Sequence, residues 1–150
     1  MAIFLIDFDG TCIPSLPDNG YTEHETGAER VLKRLVQSGH DLVLWTARNR
    51  SRNNPFNYIG GKFRNESSLD EAVRWFSERE IPLAGINEVP GEEDIVGYSR
   101  KAFGHFMIDD TAIGTPLIWD SVNYYSYDKE EYVTAQTYYV DWEGIENILT

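Results

Sequence analysis

The sequence predicts an α/β fold built on a mainly parallel sheet, and three observations carry that expectation. Short apolar runs recur along the chain, amphipathic helical stripes stand between them, and the runs end on polar residues. The first run, Ile3 to Ile6, is short enough for a strand buried on both faces. A helix is expected from near Thr26, which has Glu29 in capping-box spacing. Its apolar stripe is Ala28, Val31, Leu32, Leu35 and Val36, and Gly39 supplies its stop. Leu42 to Trp45 reads as the second strand.

The stretch from Asn49 to Asn65 is turn-rich and has no clear period. Ser68 with Glu71 repeats the capping box, and Leu69, Ala72, Val73 and Phe76 give a second helical stripe. Pro82 ends it, Leu83 to Ile86 reads as a short third strand, and Glu88 to Gly97 as an acidic loop. Phe106, Met107 and Ile108 form another apolar run, closed by Asp109 and Asp110. Strands alternating with helices imply βαβ crossovers. After Trp119 the chain changes character, with Tyr124, Tyr125, Tyr127, Tyr132, Tyr138, Tyr139 and Trp142 in no clean period until Ile145 and Ile148. This tail is expected as edge strand and core, although tyrosine also suits an interface.

With 150 residues, 41% of them hydrophobic, the chain is expected to be one domain spanning 1–150. Its core covers about residues 1–120, with the tyrosine-rich extension of about 120–150 packed on it. The net charge of −12 argues against an extended nucleic-acid or anionic-membrane surface. A single cysteine, Cys12, excludes an intramolecular disulfide and a cysteine-based zinc site. No apolar run approaches the ~20 residues that span a bilayer. The N-terminus has no basic region and meets Asp7 early, so the expected location is cytoplasmic. Oligomeric state is not legible.

Ligands of an open parallel sheet bind outside the carboxyl ends of its strands. Three predicted strand ends carry polar groups: Asp7-Phe8-Asp9-Gly10-Thr11, Thr46-Ala47-Arg48, and Asp109-Asp110. Lys101 precedes the last of these. Four carboxylates converging on one crevice do not all stay ionised without a cation. Oxygen-only ligands, with water and substrate phosphate in the remaining positions, describe a magnesium site.

These residues, in this order, resemble the haloacid dehalogenase-like (HAD) superfamily of phosphohydrolases. Asp7-Phe8-Asp9-Gly10-Thr11 matches the first motif, Thr46 the second, Lys101 the third and Asp109-Asp110 the fourth. The run from Tyr98-Ser99-Arg100-Lys101 through Asp109-Asp110 to Ile113-Gly114 and Pro116 also looks like small bacterial and phage-encoded members of unassigned function. The resemblance covers roughly residues 1–120. It implies a three-layer Rossmann-like fold with a mainly parallel sheet and no large cap domain.

The resemblance also implies roles, each of which has a chemical reason. Asp7 attacks phosphorus and forms an aspartyl-phosphate, splitting one hard step into two. Asp9 protonates the leaving oxygen and then activates the water. Alternation along an extended chain leaves Asp7 and Asp9 on one side and points Phe8 away. Thr46 hydrogen-bonds a phosphoryl oxygen, and Lys101 neutralises charge on Asp7 and the transferring group. Magnesium is held by Asp7, the Asp9 carbonyl and Asp109, with Asp110 assisting directly or through water. Family members with an acid at the place of Asp9 are typically phosphatases or phosphotransferases, and those without it tend to be ATPases or dehalogenases.

The segment from Arg48 to Arg64 holds five basic residues and no acid, with Phe56, Tyr58 and Phe63 interleaved around Gly60-Gly61. It suits a lid gripping an anionic substrate, or equally a solvated basic loop docked on the acidic surface. Arg48 is its best candidate for substrate binding, together with Gly10 and Thr11 of the first motif loop. Cys12 to His24 corresponds to the short flap of such proteins, and Cys12 reads as a small packing residue rather than a redox switch. His24, His40 and His105 have no spacing that suggests a metal site or a triad.

The activity expected is a magnesium-dependent phosphomonoesterase acting on a small phosphorylated metabolite such as a nucleotide or sugar phosphate. Phosphatase and phosphotransferase share the intermediate and are not separated. A receiver-like phosphoacceptor shares these residue types, but its acidic pair lies near the first strand, whereas here it ends the series. A non-catalytic binding protein on the same fold is the other alternative, and the presence of every motif residue weighs against it.

Overall fold

The computed structural model describes residues 1–17, 20–50, 53–59, 62–88 and 104–149, with 53–59 and 62–64 described by their backbone. Four parallel strands form the central sheet: β1 (Ile3–Ile6), β2 (Asp41–Leu44), β5 (Gly85–Ile86) and β6 (Phe106–Ile108). Their order is β5-β2-β1-β6. The chain leaves β1 toward β2 and β5 on one side and returns on the other at β6. The carboxyl ends of β1 and β6 therefore flank a topological switch point, where open α/β sheets bind ligands.

Three helices are described: α1 (Ala28–Gln37), α2 (Ser68–Glu78) and α3 (Trp142–Leu149). All three contribute to one apolar cluster over a single face of the sheet. Phe4, Ile6, Leu42 and Leu44 meet Val31 and Leu32 of α1, Leu69, Ala72 and Phe76 of α2, and Trp142 and Ile145 of α3. The opposite face carries Leu5 and Val43, packed with Ile3 and Trp45. Strand side chains alternate between faces, so one run of apolar residues supplies both layers. Among the described residues no helix covers that second face; residues 89–103, between β5 and β6, lie outside them. No described helix is long and apolar enough to cross a membrane.

Both helix starts differ from the expected capping boxes. The N-cap of α1 is Gly27 in a left-handed conformation, and the Thr26 hydroxyl donates instead to the Cys12 carbonyl at 2.9 Å. Glu29 pairs with Lys33 one turn on. The cap of α2 sits one residue earlier than predicted, on Ser67, whose hydroxyl accepts the Asp70 amide at 3.0 Å. Ser67→Ala should therefore cost about 1 kcal/mol in urea unfolding, while Ser68→Ala should cost only a few tenths.

Two antiparallel hairpins depart most from the expectations. The stretch read as turn-rich contains β3 (Asn53–Ile59) and β4 (Lys62–Ser67), with a register shift between Asn54 and Asn57. The tyrosine-rich tail is a long ladder of β7 (Leu117–Ser126) and β8 (Glu131–Val140), pairing Leu117 with Val140 through Ser126 with Glu131. Val122, Tyr124, Tyr125, Tyr139 and Val140 are buried, so this extension is core as well as edge.

Candidate active site

Asp7 follows the last residue of β1, and its amide donates to the Ile108 carbonyl of β6 at 3.0 Å. Because Ile6 pairs with Ile108, this ladder brings Asp7 beside Asp109. Beyond it the chain turns tightly, with the amides of Thr11, Cys12 and Ile13 converging on the Phe8 carbonyl at 3.1, 2.9 and 3.3 Å. Phe8 is buried against Trp75 and Phe76, so the alternation expected of Asp7-Phe8-Asp9 leaves it in the core.

Carboxylate oxygens of Asp7, Asp109 and Asp110 all lie within 4.8 Å of one another. The Thr11 hydroxyl donates to Asp7 Oδ2 at 2.8 Å and accepts the Asp110 amide at 3.1 Å, binding the two strand ends together. Gly10 has φ +77°, and a Cβ there would lie 2.4 Å from Asp110 Oδ2. Only glycine allows both the left-handed turn and the approach of that carboxylate. Asp109 Oδ1 accepts from the amide and the hydroxyl of Thr111 at 2.9 and 2.8 Å.

Burial pushes the Asp7 carboxyl up to about 8, reinforced by the hydrogen bond with Asp110 and by the charges of Asp109 and Asp110. The Thr11 hydroxyl works in the opposite direction. Three clustered carboxylates with no basic side chain bonded to any of them, among the described residues, offer a hard all-oxygen donor set. That set fits a divalent cation of the magnesium class, whose charge would offset the burial and the repulsion that raise Asp7.

Asp9 belongs to a different group. Its carboxylate is gripped by the Arg48 fork, Nε to Oδ2 at 2.8 Å and Nη2 to Oδ1 at 2.6 Å. Arg48 is itself only 8% exposed. It lies over the Phe8 ring at 4.7 Å, donates to the Ser68 carbonyl at 3.1 Å and stands 3.5 Å from Glu71. The expected substrate-binding arginine is thus committed to Asp9 rather than extended into the crevice. Asp9 remains 40% exposed, so its carboxylate is held from behind while still facing solvent. Glu71, which sequence reasoning used only as a capping residue, is a buried carboxyl raised to about 7 by desolvation against the pull of Arg48.

Thr46 lies just past β2, its amide donating to Asn87 Oδ1 at 2.8 Å and its hydroxyl accepting the Arg48 amide at 3.2 Å. Cys12 is buried and donates to the Asp7 carbonyl at 3.4 Å, the position of a packing residue. Lys101 lies outside the described residues, as does most of the acidic loop read from Glu88 to Gly97. The side chains of Lys62 and Arg64 in the basic segment are outside them too.

Sequence reasoning missed the contribution of the C-terminal extension. The Tyr138 hydroxyl donates to Asp110 Oδ2 at 3.0 Å, and Trp142 Nε1 donates to the Thr11 carbonyl at 2.8 Å. Val140 donates its amide to the Gly10 carbonyl at 3.0 Å. Trp142 could have been suspected, because a buried indole N–H needs a partner; nothing in the sequence singled out Tyr138 among nine tyrosines.

No family model matches the chain, and no curated protein matches it. Among solved structures it is similar to a conserved protein from Bacteroides thetaiotaomicron, at 30% identity over 75% of this chain and 78% of that one, with a TM-score of 0.50. The likeness supports the α/β architecture.

Proposed function

We propose that the protein is a magnesium-dependent phosphomonoester hydrolase of the haloacid dehalogenase-like type, acting on a small phosphorylated metabolite through an aspartyl-phosphate. The observation that carries this reading is the convergence of Asp7, Asp109 and Asp110 at the switch point of the parallel sheet, with Asp9 two residues from Asp7. The order of the motif residues in the sequence supports it independently.

Asp7, Asp109 and Asp110 would hold the cation. When bound, it supplies a positive charge that keeps Asp7 ionised at neutral pH and draws the phosphoryl oxygens into place. Asp7 then attacks phosphorus in line while the ester oxygen leaves. For the acid role that the resemblance implies, Asp9 would first take up a proton from solvent as one Arg48 hydrogen bond gives way, and pass it to that oxygen. The carboxylate so restored takes a proton from the water that cleaves the aspartyl-phosphate. Arg48 fixes the direction of the Asp9 carboxylate through two parallel hydrogen bonds. Thr46 would hydrogen-bond a phosphoryl oxygen, and Lys101 takes the charge-neutralising role that the resemblance implies.

The test is a phosphate-release screen over nucleotides, sugar phosphates, phosphoamino acids and phosphorylated oligonucleotides. Turnover with magnesium that is abolished by EDTA is the expected outcome. A protein that releases no phosphate from the whole panel with magnesium present contradicts the reading.

A further inference from the structure

The hairpin β7–β8 does more than close the core. Ser15 donates its amide to the Tyr138 carbonyl at 2.9 Å. Thr137 donates its hydroxyl to the Ser15 carbonyl. The phenol is therefore fixed through its own main chain and by the Trp119 ring 5.2 Å away across the ladder. From that position it donates to Asp110 Oδ2 at 3.0 Å.

Among the described residues, Tyr138 is the one tyrosine whose hydroxyl bonds to a member of the carboxylate cluster. A neutral donor is well chosen for this place. It occupies one oxygen of Asp110 and limits the carboxylate's rotation without adding a cation that would compete with a metal. Gly10 leaves the space into which this oxygen fits.

We propose that Tyr138 is a positioning residue for the cation site: it holds Asp110 in the orientation that a small, geometrically demanding divalent cation needs. This rests on the magnesium site of the proposed function and extends it to the C-terminal hairpin, which lies beyond the region of motif resemblance. Magnesium requires near-ideal octahedral geometry, whereas calcium accepts looser arrangements. Freeing Asp110 should therefore weaken magnesium more than calcium.

The experiment is calorimetric titration of the full chain with Mg2+ and separately with Ca2+, for the parent, Tyr138→Phe and Tyr139→Phe. Tyr139→Phe removes the same atom from the adjacent residue, whose hydroxyl bonds to Asp120 instead. Tyr138→Phe is expected to bind Mg2+ about tenfold more weakly, with a smaller change for Ca2+. Tyr139→Phe should stay within about twofold of the parent for both ions. Unchanged Mg2+ affinity in Tyr138→Phe overturns the proposal and leaves the magnesium site standing. Equal losses for both ions, with a lowered melting temperature of the metal-free protein, also overturn it, because they mark a merely structural tyrosine. A parent that binds neither ion overturns the site itself, and the proposal with it.

Discussion

Asp7→Asn should melt higher than the parent at pH 8 without divalent cations, and should turn over no phosphate ester. The Asp7 carboxyl is raised from 3.8 to about 8 by burial and by the two neighbouring acids. A carboxyl raised in this way contributes stability that is fully present below its unfolded value and is lost as pH climbs through the folded one. In the parent that loss accumulates between about pH 4 and pH 8. Asparagine carries no charge to repel, so the gap between the two proteins should widen over the same interval. The cluster is partly open to water, which reduces the gain to about 2 kcal/mol, or roughly 5 °C. Magnesium should close the gap, because it binds the parent's carboxylates and stabilises by mass action. Turnover should fall at least about a thousandfold, since the amide cannot form the covalent intermediate. Melting curves at pH 5 and pH 8, with and without magnesium, separate these effects. A variant less stable than the parent under all four conditions would contradict the account of the cluster.

Arg48→Met should be the most destabilising single change around the site. The guanidinium and the Glu71 carboxyl are 8% and 12% exposed, so removing the cation strands a buried acid and releases Asp9 together. Breaking such a group costs about 3–5 kcal/mol when the remaining acid must stay charged. Glu71 already sits at about 7 with Arg48 in place, so without it the acid can take up a proton instead. The penalty should therefore be larger above pH 7 than at pH 5. Arg48→Met with Glu71→Gln should recover part of the stability, which urea unfolding measures directly. Turnover should not recover with it, because Asp9 still lacks its clamp and its misplacement costs about a hundredfold. Full recovery of turnover in the double variant would mean that Arg48 serves the fold alone.

The parts of the fold legible in the sequence are those whose signal is local. Ile3–Ile6, Leu42–Leu44 and Phe106–Ile108 are apolar runs ending on polar residues, and Val31 and Leu32 mark the buried stripe of α1. The strand β3 reads Asn-Asn-Pro-Phe-Asn-Tyr-Ile, with neither alternation nor a continuous apolar core, so pattern gave no warning of a hairpin. In β7 and β8 tyrosine stands at both buried and solvent-facing positions, and its mixed character blurs the period of two. At the site, Asp7, Asp109 and Asp110 were legible as a group because strand ends at one edge of a parallel sheet must meet. The directions of side chains were not. Arg48 was placed near Thr46 by sequence, yet only tertiary packing decides that it turns to Asp9 across 39 residues. Tyr138 reaches Asp110 across 28 residues from a hairpin whose register no local pattern fixes.

The central claim is that Asp7 is the nucleophile that accepts the phosphoryl group. The direct measurement mixes protein, magnesium and a substrate found in the phosphate-release screen, quenches with acid during turnover, and locates the added phosphoryl group by peptide mass. The account predicts one phosphoryl group on Asp7, formed only with magnesium and absent from Asp7→Asn. Turnover that persists undiminished in Asp7→Asn, or a phosphoryl group found on another residue, would contradict it.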